Sequence, residues 1–216
     1  MTKGSIALAI VILLAVNFTA VAQDEERDVV EMTFFGGFGI PGSGVSEWVT
    51  QGYERAAETG FDMGLEAGWF VRSNFVVGVN ITYTEFGIDD TAESSHNHRL
   101  YNPSIYAKLL FEGESNWTPY LKGHLGLDNA KFSTKVTNPA GGRYREISYE
   151  PAIAMGVGAG LIYYTAYYSA LFIEVNYHTA MTEKAEATYL DTQYEFGENL
   201  ATYDIHAGIR LVFSKD

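Results

Sequence analysis

Apolar and polar residues alternate along most of this chain with a period of two. Near the C-terminus, one face carries Ala201, Tyr203, Ile205, Ala207, Ile209, Leu211 and Phe213, and the other carries Thr202, Asp204, His206, Gly208 and Arg210. Such alternation predicts a β-strand with one apolar face. Segments of this kind occur at about 29–40, 59–70, 75–86, 99–111, 117–127, 149–164, 170–178 and 200–213. The sequence therefore predicts an all-β protein of eight strands.

The connections between the eight segments alternate in length. Residues 71–74, 112–116 and 165–169 are tight turns, whereas 41–58, 87–98, 128–148 and 179–199 are long loops. Short turns at one end and long loops at the other are the plan of a transmembrane β-barrel with periplasmic turns and extracellular loops. An even strand count also allows the sheet to close, which a bilayer core without water requires. We therefore predict an eight-stranded antiparallel up-and-down transmembrane β-barrel.

The sixth segment indicates which face of the sheet is outside. One face carries Ile153, Met155, Val157, Leu161 and Tyr163, and the other carries Ala152, Ala154, Gly156, Gly158 and Gly160. A row of alanines and glycines suits the crowded interior of a narrow barrel better than a solvated surface. The apolar face is therefore expected to contact lipid. The alternative is a soluble lipocalin-like barrel that binds a ligand, with the apolar face inside.

Aromatic residues bracket every short turn. They are Trp69, Phe70 and Phe75 at the first turn, Phe111 and Trp117 at the second, Tyr163, Tyr164, Tyr167 and Tyr168 at the third, and Phe213 at the end of the last segment. Aromatic side chains collect where lipid headgroups meet hydrocarbon. The pattern predicts an aromatic girdle at the periplasmic membrane surface.

The N-terminus has the form of an export signal. A basic start at Lys3 precedes the apolar run 6–16, and Ala20-Val21-Ala22 has the small-x-small form of a cleavage site. We predict a signal peptide at 1–22 and a barrel domain at 23–216. The mature chain then holds 13 basic and 27 acidic residues and no cysteine. This balance argues against a nucleic-acid partner, and the absence of cysteine excludes disulfides and a lipidated N-terminal cysteine.

The last segment carries a further signal. In the sequence HAGIRLVF, the residues His206, Gly208, Leu211 and Phe213 follow the order polar, glycine, hydrophobic, aromatic. The mature chain as a whole resembles the small eight-stranded outer-membrane barrels, of the OmpA transmembrane domain and OmpX type, and these four residues resemble the family's assembly signal. The resemblance implies insertion into the bacterial outer membrane by the barrel assembly machinery. Ser214, Lys215 and Asp216 depart from it, because they follow the aromatic residue that usually ends such chains.

Six ionisable residues fall at similar heights on the inward face of the predicted barrel: Glu31, Glu66, Lys108, Lys122, Glu174 and Arg210. Buried charges are costly unless they are paired and hydrogen-bonded. We therefore expect a lumen charge layer of mutual ion pairs that plugs the barrel. A gated path for small ions is the alternative.

A second inward group lies above this layer and comprises Asp62, His124, His178, Asp204 and His206. Imidazoles with carboxylates can bind a metal, but single buried histidines are usually structural, so no metal, cofactor or catalytic residue is predicted. Outer-membrane lipid A deacylases place a serine two residues after a histidine, whereas Ala180 follows His178 here. An enzyme is therefore not expected.

Charged residues divide the long loops into two kinds. The first, second and fourth loops are acidic, with Glu47, Glu54, Glu58, Asp89, Asp90, Glu93, Glu183, Glu186, Asp191, Glu195 and Glu198, and the third is basic, with Lys131, Lys135, Arg143 and Arg145. Acidic loops can bridge to lipopolysaccharide through divalent cations, and basic residues can bind its phosphates. His96 and His98 are candidates for a surface metal site. We predict a monomer with a structural or surface-interaction role through these loops.

Overall fold

The structure is a computed structural model that describes residues 29–43, 45, 49–50, 53–54, 58–91, 94–111, 113–136, 143–148, 150–181, 186–189, 192–195 and 199–214. The predicted signal peptide at 1–22 lies outside these residues. Among the residues described, no helix is long and apolar enough to cross a membrane.

Eight long strands form the wall of the molecule, and their order along the chain agrees with the periodicity of the sequence. They are β1 (Val29–Pro41), β4 (Gly60–Arg72), β5 (Phe75–Thr91), β6 (Ser94–Leu110), β7 (Trp117–Val136), β9 (Ala152–Ala166), β10 (Ser169–Ala180) and β13 (Leu200–Ser214). Five short strands lie in the connections: β2 (Val49–Thr50), β3 (Tyr53–Glu54), β8 (Arg143–Ser148), β11 (Glu186–Tyr189) and β12 (Thr192–Glu195).

Every long strand pairs with a neighbour on each side. The order is β6-β5-β4-β1-β13-β10-β9-β7, and an additional pairing of β6 with β7 closes the circle. All of these pairings are antiparallel, and β1 runs alongside β13 from Val29↔Ser214 to Pro41↔Thr202. The predicted eight-stranded antiparallel barrel is confirmed.

The strands on the loop side are longer than the sequence pattern indicated. The segments 87–98 and 128–148, expected as loops, continue the ladders as far as Thr91↔Ser94 and Val136↔Arg143. β8 and β9 both pair with β7, and their registers differ by one residue across the interval that contains Pro151. Proline has no N–H to donate to a ladder, which accounts for an irregularity at this point.

The side chains point as the alternation predicted. On β9, Met155 and Val157 are exposed, with 64% of Val157 accessible, whereas Ala152, Ala154 and Gly156 are buried. The expected girdle requires a correction at two positions, because Phe70 and Tyr164 pack against the buried cluster inside the barrel. Trp69, Trp117 and Phe213 do face outward, each about half exposed. Consecutive residues of a strand lie on opposite faces, so Trp69 and its neighbour Phe70 cannot both point outward.

Candidate functional site

The short-turn end of the lumen is closed by apolar side chains. Val76, Leu110, Ile162 and Ala170 are almost completely buried, and the rings of Phe70 and Tyr164 pack against them. These residues lie on the inward faces of strands beside the short turns. The polar lumen therefore begins above an apolar floor.

Directly above this floor, the structure joins all six residues of the lumen charge layer in one network. Arg210 Nε donates to Glu31 at 2.6 Å, and Lys108 Nζ lies 2.9 Å from the other oxygen of Glu31 and 3.1 Å from Glu66. Lys122 Nζ lies 2.8 Å from Glu66 and also binds Glu174. Acids and bases thus alternate along a single chain of contacts.

The local fold explains why these charges meet. Lys108 and Lys122 are direct partners on β6 and β7, and Glu66 and Arg210 both pair with Thr33 of β1 from opposite sides. Two neighbouring lysines would repel each other, but Glu66 bridges them. Each of the six side chains is at most 4% exposed. Burial at this level is tolerated because every charge has a partner of opposite sign.

Two tyrosines complete the layer and were not among the predicted residues. Tyr106 donates to Glu31 at 2.8 Å, and Tyr120 donates to Glu174 at 2.7 Å. Both rings also lie near the ammonium of Lys108, at 5.1 and 5.4 Å. The alternation of the strands predicts that both tyrosines point inward. It does not predict that their hydroxyl groups contact carboxylates, because tyrosine is common on either face of a strand.

The glycines of β9 make room for this network. A Cβ at Gly160 would lie 2.4 Å from the ring of Tyr120, and one at Gly156 would lie 2.2 Å from the ring of His124. The small residues on the inward face of β9 thus leave space for the long side chains that neighbouring strands place in the lumen. This is the packing role that the row of alanines and glycines predicted.

The five residues of the predicted histidine and aspartate group are all placed inside the barrel, but they form two separate groups. In the first, His206 Nε2 lies 2.7 Å from Asp62, and Asp204 stands two residues away on the same face of β13. In the second, His124 Nε2 and His178 Nδ1 are 2.9 Å apart, and His178 Nε2 lies 2.8 Å from Asp128. Members of both groups line one polar cavity: Asp204 and His206 from the first, and His124, His178 and Asp128 from the second.

Asp128 was missed because the fifth segment was expected to end at residue 127. The strand in fact continues to Val136, which places Asp128 inward on the same face as His124. Asn102 donates to its other carboxylate oxygen at 2.7 Å, and Asn176 contacts both Glu174 and His206. Asn176 therefore connects the charge layer to the first histidine group.

The cavity above the charge layer is small. Its volume is about 20 Å³, and Asn80, Thr84, Asn102, His178 and Asp204 are among the residues that line it. Measured in the same way, as the space open to the centre of a water-sized sphere, a single water needs roughly 10–15 Å³. The space therefore suits about one water or ion.

The remaining predicted residues lie in different environments. In the segment that resembles an assembly signal, Gly208 faces inward, and a Cβ there would lie 2.1 Å from the Phe34 carbonyl oxygen. Leu211 is half-buried and Phe213 is exposed. The side chains of the charged loop residues, apart from Glu58 and Lys131, and those of His96 and His98 lie outside the described part of the structure.

A closed barrel with an apolar exterior and an ionised interior defines a class, that of membrane-spanning β-barrels. No protein-family model and no curated protein matches the chain. Among solved structures, Neisserial surface protein A aligns with 88% of this chain and 100% of its own, at 17% identity and a TM-score of 0.53. OprG from Pseudomonas aeruginosa aligns with 88% of this chain and 98% of its own, at 13% identity and a TM-score of 0.57.

The outer membrane protease OmpT from Escherichia coli is also similar in structure. It aligns with 89% of this chain and 100% of its own, at 8% identity and a TM-score of 0.50. At these identities the similarity establishes the fold and not a shared function. The resemblance to small eight-stranded outer-membrane barrels is thus confirmed at the level of the fold.

Proposed function

We propose that the mature chain is an integral protein of the bacterial outer membrane, exported through a cleaved signal peptide, with a structural or surface-binding role carried by its extracellular loops. The main support for this proposal is that apolar side chains lie on the outside of the barrel and charged side chains on the inside, the reverse of a soluble protein. Phe38, Leu121, Val157 and Ile173 are among the outward apolar residues that are at least half exposed, while all six charges of the lumen layer are buried. Hydrocarbon is the environment that favours this arrangement.

The strands beyond the membrane support the assignment of the working surface to the loop side. β6 has 17 residues and β7 has 20, whereas a transmembrane strand needs only about 9–11. At about 3.3 Å per residue, the excess extends the paired ladders by roughly 20 Å or more along the strands. A further sheet joins the first and fourth loops, because Thr50 pairs with Tyr194 and Val49 with Glu195. Rigid scaffolds of this kind commonly present functional loops.

Lipopolysaccharide is the partner that we propose for this surface. Four basic residues lie on the paired ends of β7 and β8 beside the long loops: Lys131, Lys135, Arg143 and Arg145. Basic side chains form charge-assisted hydrogen bonds with phosphate groups. The acidic loops complement them by holding divalent cations that bridge to further phosphates.

A titration of the refolded barrel with lipopolysaccharide tests the proposed surface role. Replacing the four basic residues by glutamine should weaken binding by roughly tenfold to a hundredfold, since exposed ion pairs contribute about 0.2–1 kcal/mol each. The matched control replaces Glu183, Glu186, Asp191 and Glu195 by glutamine. This control should lower only the part of the binding that a chelator removes. Unchanged binding by both variants would contradict the proposal.

Conduction and catalysis are the competing functions. The alternating charge network would support conduction only if its ion pairs open, and then a conductance in planar bilayers should disappear in Arg210→Ala or Glu174→Ala. Catalysis on lipid A would require His178, which hydrogen-bonds to Asp128 and His124. We propose that the protein is not an enzyme, and a change in lipid A acylation that depends on His178 would contradict this.

A further inference from the structure

The upper lumen has an excess of negative charge. Three aspartates, Asp62, Asp128 and Asp204, are at most 5% exposed there, and among the described residues no lysine or arginine forms an ion pair with any of them. Lys122 also lines the cavity, but its ammonium binds Glu66 and Glu174. The layer below, by contrast, balances three acids with three bases. His206 and His178 are the ion-pair partners of Asp62 and Asp128, but no ion pair within the described structure involves Asp204. A buried carboxylate without such a partner is costly, and a further cation would offset this cost.

Three ligand atoms in this region are close enough to share one ion. The nearest oxygens of Asp62 and Asp204 and a ring nitrogen of His206 all lie within 4.8 Å of one another, and all three residues are buried. One oxygen of each aspartate, Oδ1, has no hydrogen-bond partner within the described structure. Two buried carboxylates with unpaired oxygens, one of which, Asp204, lines a cavity of about 20 Å³, are an independent indication that a ligand binds here.

The backbone is arranged so that these side chains can meet. Asp62 on β4 and His206 on β13 pair with Gly37 from its two sides, and Asp204 pairs with Gly39. Gly37 and Gly39 occupy inward positions on β1, so no side chain separates the three ligands. At Gly37 a Cβ would lie 1.9 Å from the Ile205 carbonyl oxygen, so the close approach itself depends on glycine.

We propose that Asp62, Asp204 and His206 form a divalent-cation site inside the barrel, suited to a first-row metal ion such as Zn²⁺. Two carboxylate oxygens and one imidazole nitrogen are ligands that Zn²⁺ accepts at about 2.0–2.2 Å. The ion would lie among these three atoms, and the adjoining cavity has space for one water in the fourth tetrahedral position. Calcium and magnesium, which prefer sites built from oxygen ligands alone, fit this donor set less well. The ion would supply the positive charge that the upper lumen lacks.

Asn176 is the residue that would orient the histidine ligand. Its side-chain nitrogen lies 3.0 Å from His206 Nδ1, and its oxygen has no partner among the described residues. When Nε2 binds the metal, Nδ1 carries the proton and can donate to Glu174, whose Oε1 lies 3.5 Å away and accepts a hydrogen bond from the same Asn176 nitrogen. Such partners of a ligating histidine commonly alter metal affinity by 10–100-fold.

The test uses the refolded mature chain in detergent, treated with a chelator and then dialysed against Zn²⁺. We expect about one Zn²⁺ per chain, retained through gel filtration and counted by mass spectrometry. Asp62→Asn and Asp204→Asn should each weaken the affinity by about 100-fold or more, and Asn176→Leu by about 10–100-fold. The control variant His96→Gln/His98→Gln, which alters only the loop histidines, should bind as the unaltered chain does.

X-ray absorption of the zinc-loaded, unaltered chain gives a second measurement that does not depend on variants folding. It should show nitrogen and oxygen ligands at about 2.0–2.2 Å, including imidazole. The proposal is overturned if the chain takes up no Zn²⁺. It is also overturned if folded Asp62→Asn and Asp204→Asn variants bind normally, or if only the loop-histidine variant loses the metal.

Discussion

Replacement of Lys122 by methionine removes the cation that joins Glu66 to Glu174 in the charge layer. Glu66 keeps Lys108 at 3.1 Å, so it retains one positive partner. Glu174 keeps hydrogen bonds from Tyr120 and Asn176. It loses its only lysine within the described structure and retains only a long contact with His206, at 3.5 Å. The variant therefore leaves one buried carboxylate largely uncompensated.

The expected cost follows from that uncompensated charge. Removing one partner of a buried ion pair typically destabilises a protein by about 3–5 kcal/mol. We expect Lys122→Met to lower the free energy of unfolding by this amount. Adding Glu174→Gln should recover about 1–3 kcal/mol, because the two residues are in direct contact and their effects are not additive.

Urea unfolding of the chain folded into phospholipid vesicles measures this free energy, with tryptophan fluorescence as the signal. Leu121→Met is the matched control, because Leu121 precedes Lys122 on the same strand and is 52% exposed on the outer face. It should change stability by less than about 1.5 kcal/mol. A similarly small effect of Lys122→Met, or strict additivity in the double variant, would refute the argument that the layer is held by mutual pairing.

Three further predictions follow from the orientation of the strands. Val157→Arg places a charge on the lipid face and should cost about 2–4 kcal/mol in vesicles if the position lies near the bilayer midplane, and a cost near zero would contradict the outward orientation. Gly160→Ala should destabilise the barrel by about 1–3 kcal/mol because the new Cβ would collide with Tyr120. In the control, Gly123→Ala, the nearest contact of the new Cβ is at 3.9 Å, so this variant should lose less stability. Equal unfolding free energies of the two variants would contradict crowding in the lumen. Phe213→Ala should fold normally in vesicles but reach the outer membrane in smaller amounts in cells, and unchanged amounts on immunoblots would exclude an assembly role.

Much of the fold could be predicted because a membrane barrel has few alternatives. Period-two alternation assigns each residue to a face, and the apolar exterior together with the Ala and Gly row of β9 identifies the lumen. Closure then fixes the approximate height of Glu31, Lys108 and Arg210 relative to the short turns. This is why six charges could be assigned to one layer before their contacts were known.

The predicted ends of the strands were wrong on the side of the long loops. Beside the long loops, β6 and β7 remain paired although apolar and polar residues no longer alternate there, so the sequence pattern ended before the strands did. For this reason Asp128 was not predicted as a lumen residue. The division of the histidines into two groups depends on strand stagger and on Gly37 lying between Asp62 and His206, which sequence alone does not specify.

We propose that this chain closes into a barrel within the outer membrane. The most direct test compares the migration of the outer-membrane fraction on a detergent gel with and without boiling. Because every barrel strand is paired on both sides, the closed form should resist detergent until it is heated, and boiling should shift the band. A protein found in the soluble periplasmic fraction, with the same migration before and after boiling, would contradict the account and favour a lipocalin-like ligand-binding barrel.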